Sequence, residues 1–158
     1  MQIVSFGKFP KNPENSLNKI LTIYKMNIME FSILTITIFV IDIIYLFITK
    51  SLTGKVIKSV QGSPVKLRKF PSFVVYLILA YVLYYFILSR DANYLEALIL
   101  GSSIYGVFNF TNLAIFKKWS WTLALVDTLW GGTLLVLTTI IYKKITPSKY
   151  LIEMMSKK

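Results

Sequence analysis

Apolar residues run along this chain in four long blocks, Ile28–Thr49, Pro71–Leu88, Asn93–Phe116 and Trp119–Tyr142, parted by short polar and basic segments. Each block is close to the roughly 20 mainly apolar residues that carry a helix across a bilayer. Their apolar positions fill the whole circumference of a helix and not one stripe, as expected where the outer face meets lipid. The pattern predicts an all-α fold, an integral membrane bundle of four transmembrane helices over residues 28–142. Residues 1–27 are polar and basic, with no stretch resembling a secretory signal. Within them Asn12 can cap a helix, Pro13 suits its first position, and Leu17, Ile20, Leu21 and Tyr24 follow at helical spacing. An amphipathic N-terminal helix lying on the membrane is expected there. Ser51–Phe70, broken at Gly62–Pro64, reads as a basic surface loop with a short amphipathic helix over Lys55–Gln61. Arg90-Asp91 and Lys117-Lys118 mark tight connections, and residues 143–158 form a basic interfacial tail.

Composition removes many chemistries. The 158 residues include no Cys and no His, so disulfides, thiolate catalysis, imidazole-bound metals and Ser-His-Asp hydrolysis are excluded. No cofactor and no metal are expected, and the chain does not read as an enzyme. The formal charge of +11 comes from Lys and Arg placed between apolar blocks, where they meet headgroups. Anionic membrane lipid is therefore the expected partner, and nucleic acid is not. Four spans put both termini on one side, face A, which holds Lys8, Lys11, Lys19, Lys25, Arg90 and the tail lysines. Face B holds Lys50, Lys55, Lys58, Lys66, Arg68, Lys69, Lys117 and Lys118. The two sets nearly balance, so the positive-inside rule has little to act on. The reading adopted here places face A in the cytoplasm. Four helices make a thin bundle with little room for a private pore, so a homo-oligomer is expected.

Candidate chemistry lies in polar residues inside the blocks. Asp42 stands seven residues before Thr49, Asn109 seven before Phe116, and Asp127 eight after Trp119. At 1.5 Å per residue all three come roughly 10–12 Å below face B. Around them the expected set is Tyr45, Tyr81, Tyr105, Asn112 and Trp130, with Tyr81 as the donor from the second span. Ser102, Gly106, Ala124 and Gly131 share faces with these polar residues and would let the helices approach closely. No Lys or Arg lies inside a span, so two acids at one depth leave three solutions: a shared proton, a bound cation, or Asn and Tyr donors around a carboxylate. The bland alternative is interhelical hydrogen bonding, worth about 0.6 kcal/mol on average. Glu96 reads as interfacial, and Trp119, Trp121 and Tyr142 as interfacial belt residues. "VIDIIYLFIT" and "LVDTLWGGTL" share an Asp followed three residues later by an aromatic, in spans of opposite direction. An inverted repeat and chance both remain open.

Several of these residues also carry a family resemblance. Asp42 with Tyr45-Leu46, "YGVFNFTNLA" from Tyr105 to Ala114, Lys117-Lys118-Trp119, and Val126-Asp127 with Trp130-Gly131 form a recognisable set. Over about Ile28 to Tyr142 the chain resembles a family of small four-helix membrane proteins known only as a domain of unknown function, found in bacteria, large DNA viruses and protists. The resemblance implies four helices and a membrane setting. Where that family has Asp in the third helix, this chain has Asn109.

The leading functional expectation is transport or handling of protons, cations or a small solute at Asp42 and Asp127. One alternative is a structural, membrane-organising protein, such as a viral one, that binds anionic lipid. The other is an accessory or catalytic subunit in lipid modification.

Overall fold

The computed structural model describes residues 28–146. The expected N-terminal helix and the tail beyond Thr146 lie outside the described residues. The described chain is all-helical: α1 (Ile28–Gln61), α2 (Lys69–Leu83) prolonged by a π-helical turn (Tyr84–Leu88), α3 (Tyr94–Ile115) and α4 (Trp121–Ile145). All four are long and apolar enough to cross a membrane.

Local signals explain most of the ends. Asn93 caps α3 in a reciprocal box with Glu96: the Asn93 side chain accepts from the Glu96 N–H at 2.9 Å, and the Asn93 N–H donates to Glu96 Oε1. Ser120 caps α4 by accepting from the Leu123 N–H. The π-helical turn bonds Ser89 N–H to Tyr84 O at 2.8 Å and Ala92 N–H to Ile87 O at 2.9 Å. Asp91, at φ 50°, completes the reversal into α3 and accepts an ion pair from Lys143 at 2.6 Å.

The first helix departs from expectation. Its 34 residues span about 51 Å, against a hydrocarbon core of about 30 Å. Ser51–Gln61 is a continuation of α1, not a loop. Charge there decides where the chain leaves the hydrocarbon, but nothing before Gly62 stops the helix. Gly62, at φ +74°, ends it in the left-handed conformation and donates back to Lys58 O at 3.0 Å. Val56 in this outer part is buried, and the Ser59 hydroxyl donates to Lys118 O at 3.4 Å. The end of α1 therefore rests against the α3–α4 connection.

Close packing runs in the order α3, α4, α1, α2, with α3 and α4 by far the most intimate pair and the α2–α3 side comparatively open. Glycine explains that intimacy. A Cβ on Gly101 would collide with the Gly131 carbonyl, and one on Gly132 would meet Ser102 and the Leu98 carbonyl. Toward face A the interior is apolar, built from Leu34, Ile38, Leu79, Ala80, Leu83, Leu134 and Leu135. Large apolar side chains also cover the outside: Phe47 is 79% exposed, Val107 71% and Leu129 69%. Such an exterior, costly in water, suits lipid.

One polar group in the apolar half is unmatched. Thr138 is fully buried and its hydroxyl has no hydrogen-bond partner among the described residues. Thr138→Val keeps the shape and removes that desolvated hydroxyl, so it is expected to raise stability by about 1 kcal/mol. The unfolding midpoint in mixed SDS–detergent micelles reads this, and a lowered midpoint would count against it.

Candidate functional site

The polar residues inside the spans assemble in the half of the bundle nearer face B, in two tiers. In one, Asp42 of α1 accepts from Tyr76 Oη of α2 at 2.9 Å and from Trp130 Nε1 of α4 at 2.9 Å. In the other, Asp127 of α4 accepts from Tyr45 Oη of α1 at 3.1 Å and from Asn109 Nδ2 of α3 at 2.7 Å. Tyr45 follows Asp42 by three residues, so the Asp127 tier lies about 4.5 Å closer to face B than the Asp42 tier. The single layer expected from residue counting is two levels. Asp42 is 7% exposed and Asn109 fully buried, while Asp127 is half-buried.

The α1–α4 part is reciprocal. Each helix carries an Asp and, three residues on, an aromatic, and each aromatic donates to the other helix's Asp. Because the helices run in opposite directions, the two bonds exchange under a local two-fold rotation. The Tyr45 and Trp130 rings stack between them, centroids 4.4 Å apart and 7° from parallel. The likeness between "VIDIIYLFIT" and "LVDTLWGGTL" thus has a geometric counterpart. The flanking helices complete it, with α2 supplying Tyr76 and α3 supplying Asn109.

Neighbours fix the orientation of the Asn109 amide. Its Nδ2 also donates to the Tyr105 carbonyl at 3.0 Å, and its Oδ1 accepts from Trp119 Nε1 at 3.4 Å. A carbonyl can only accept and an indole N–H can only donate, so the amide presents N–H to Asp127 and not oxygen.

Of the residues expected from the sequence, Asp42, Asp127, Asn109, Tyr45 and Trp130 form the network directly. Tyr105 contributes its backbone carbonyl, and its ring packs where a Cβ on Gly131 would stand. Tyr81 is a correction: it is 56% exposed and stacks on Tyr85, away from the acids. Tyr76 takes the expected role, seven residues into α2, because that helix begins at Lys69. Asn112 also stays out, its Nδ2 buried without a partner among the described residues. Trp119 is a second correction, since its indole N–H joins the network instead of serving only as a belt residue. Among the packing residues, Gly131 lies in the α3–α4 seam and Ala124 is fully buried. Ser102 borders Gly132, and Gly106 has ordinary room, a Cβ there meeting only Thr128, 3.4 Å from its methyl. Gly101 and Gly132, absent from the expected set, are tight positions as Gly131 is.

Comparison with known families matches residues 27–142 to the family described as "Predicted membrane protein (DUF2177)". The chain belongs to this family. The DUF2177 region contains every residue of both tiers, the glycine seam and the outer end of α1, and it stops just before Lys143. Membership places the chain among membrane proteins of unknown function. No curated protein and no solved structure matches it.

Proposed function

We propose that the protein takes up protons or monovalent cations at the Asp42–Asp127 pair as a step in moving them through the membrane. The observation that supports this is the mixed character of each carboxylate's partners. Trp130 and Asn109 can only donate in these positions, so one oxygen of each acid is always held. Tyr76 and Tyr45 hydroxyls donate here but can also accept. Such a hydroxyl can turn to receive the proton of a neutral carboxyl, or offer its oxygen to a cation shared with the carboxylate. Each acid therefore has one fixed anchor and one reversible neighbour. The four apolar blocks contain no Lys or Arg to neutralise the acids, and intramembrane acids without a fixed counter-ion mark proton and ion pathways.

Exposure gives the pair a direction. Asp127, half-buried and nearer face B, is the outer station, and Asp42 is the inner one. Beyond Asp42, the apolar interior of Leu34, Ile38, Leu134 and Leu135 separates the site from face A. This is a conformation with its site nearer one side, and completing a passage requires that apolar half to part.

Proteoliposomes loaded with a pH-sensitive dye test the reading, with potassium or sodium gradients run in parallel. Wild type is expected to conduct or exchange. Asp42→Asn and Asp127→Asn are expected to lose at least tenfold in rate while folding normally, since Asn still accepts from the fixed donor and can donate to the turned Tyr hydroxyl. A wild type without flux, and variants that differ only in stability, would return the network to a packing role.

A further inference from the structure

We propose that face B carries a docking site for the headgroups of anionic membrane lipid, formed where the outer end of α1 rests on the α3–α4 connection. The first ground is charge. Among the described residues, face B holds the cations of the α1 extension, the α1–α2 connection and the α3–α4 connection, and no Asp or Glu. None of those Lys or Arg side chains makes an ion pair or a hydrogen bond among the described residues. Face A differs: there Lys143 is bound to Asp91 and lies over Tyr94, and Arg90 covers Tyr85 and Phe86.

The second ground is shape. Ser59, Val60, Ile115, Phe116, Lys117 and Lys118 line an open recess between the α1 extension and the connection. Val60, Ile115 and Phe116 give it an apolar part, with Ile115 and Phe116 exposed, and Ser59, Lys117 and Lys118 give it a polar part at least as large. A phosphodiester with adjoining acyl chains has the same division. The recess lies at the face-B ends of α3 and α4, since α3 ends at Ile115 and α4 begins at Trp121. Lys55 and Lys58, on the exposed side of the extension, add charge around it. A soluble acidic partner would meet the same charge but has no use for exposed apolar side chains beside it. Each basic residue near an anionic surface is worth about fivefold in binding, so two neutralised lysines are expected to cost at least tenfold.

The full chain, extracted from vesicles of equal phosphatidylglycerol and phosphatidylcholine, gives the test by native mass spectrometry of retained lipid. Wild type is expected to keep phosphatidylglycerol in preference to phosphatidylcholine. Lys117→Gln with Lys118→Gln should reduce that retention at least tenfold, and Lys55→Gln with Lys58→Gln should reduce it by a smaller factor. The last pair lies on an exposed helix surface and leaves the α3–α4 turn intact, so it guards against simple misfolding. Lys117→Arg with Lys118→Arg should retain the lipid. Arg90→Gln with Lys144→Gln removes as much charge from face A and should change nothing. Equal loss from neutralising either face, no preference between the two lipids, or full retention in both face-B Gln pairs would overturn the site. The outcome does not depend on ion flux, so it stands or falls apart from the proposed function.

Discussion

Gly101→Ala is expected to lower the stability of the folded protein by about 2–3 kcal/mol, the upper part of the range for overpacking an interior. The added methyl would lie against the Gly131 carbonyl, 2.7 Å from its carbon and 2.9 Å from Gly132 Cα. These are backbone atoms of the facing helix, and no rotamer change moves them aside. Relief requires α3 and α4 to separate, which forfeits contacts along the tightest interface in the molecule. Two other substitutions calibrate the effect. Gly106→Ala meets only Thr128, 3.4 Å from its methyl, and should stay within about 0.5 kcal/mol of wild type. Gly54→Ala, with nothing within 4 Å of the new methyl, should gain up to about 1 kcal/mol from helix propensity. Unfolding of all three in mixed SDS–detergent micelles gives the order. Similar losses at Gly101 and Gly106 would mean that the helices meet in another register.

Asn109→Asp should make stability fall with rising pH more steeply than it does in wild type. Asn109 now donates to two acceptors, the Tyr105 carbonyl and Asp127 Oδ2. A carboxyl in its place can donate only while it carries a proton. At low pH it keeps one of the two bonds, and the fold is little disturbed. As pH rises, the folded state must hold a proton that the unfolded chain gives up, and stability falls wherever the native state binds the extra proton. Once ionised, the new carboxylate faces Asp127 across a distance that was a 2.7 Å hydrogen bond, and the cost should reach about 3 kcal/mol or more. Unfolding midpoints of variant and wild type from about pH 5 to about pH 9 measure the divergence. A constant difference would show that a bound cation, or a turned Asp127, absorbs the second charge.

The fold could be read from the sequence because a membrane-spanning block is a property of composition, and composition needs no knowledge of which way a helix is turned. Asp42, Asn109 and Asp127 stood out for the same reason: a strongly polar residue in hydrocarbon is conspicuous wherever it points. Rotation was harder. The second block holds Tyr76, Tyr81, Tyr84 and Tyr85 on an apolar background, and with lipid outside and apolar core inside, hydropathy does not tell one face from the other. Tyr76 was the donor and Tyr81 faces outward. The apolar block begins at Pro71 but the helix begins at Lys69, and those two residues move the depth expected from the block toward Tyr81. Trp119 reads as a belt residue on chemistry alone, since an indole at an interface is what a belt consists of. Its bond to Asn109 belongs to the tertiary arrangement. The long α1 shows the converse difficulty, because Lys50, Lys55 and Lys58 announce the end of the hydrocarbon and say nothing about the end of the helix.

The two bonds between α1 and α4 donate in opposite directions across the pair of helices, one in each tier, and this constrains how the protein can move. Sliding α4 toward face A would carry Trp130 past Asp42 and draw Asp127 away from Tyr45 together. Sliding it the other way breaks the same pair of bonds. The contact works as a latch against piston motion in both directions. What it leaves free is a rocking of one helix on the other, pivoting on the stacked Tyr45 and Trp130 rings. Any opening of the apolar half toward face A would therefore swing about that aromatic pivot, with the Asp42 and Asp127 tiers moving least.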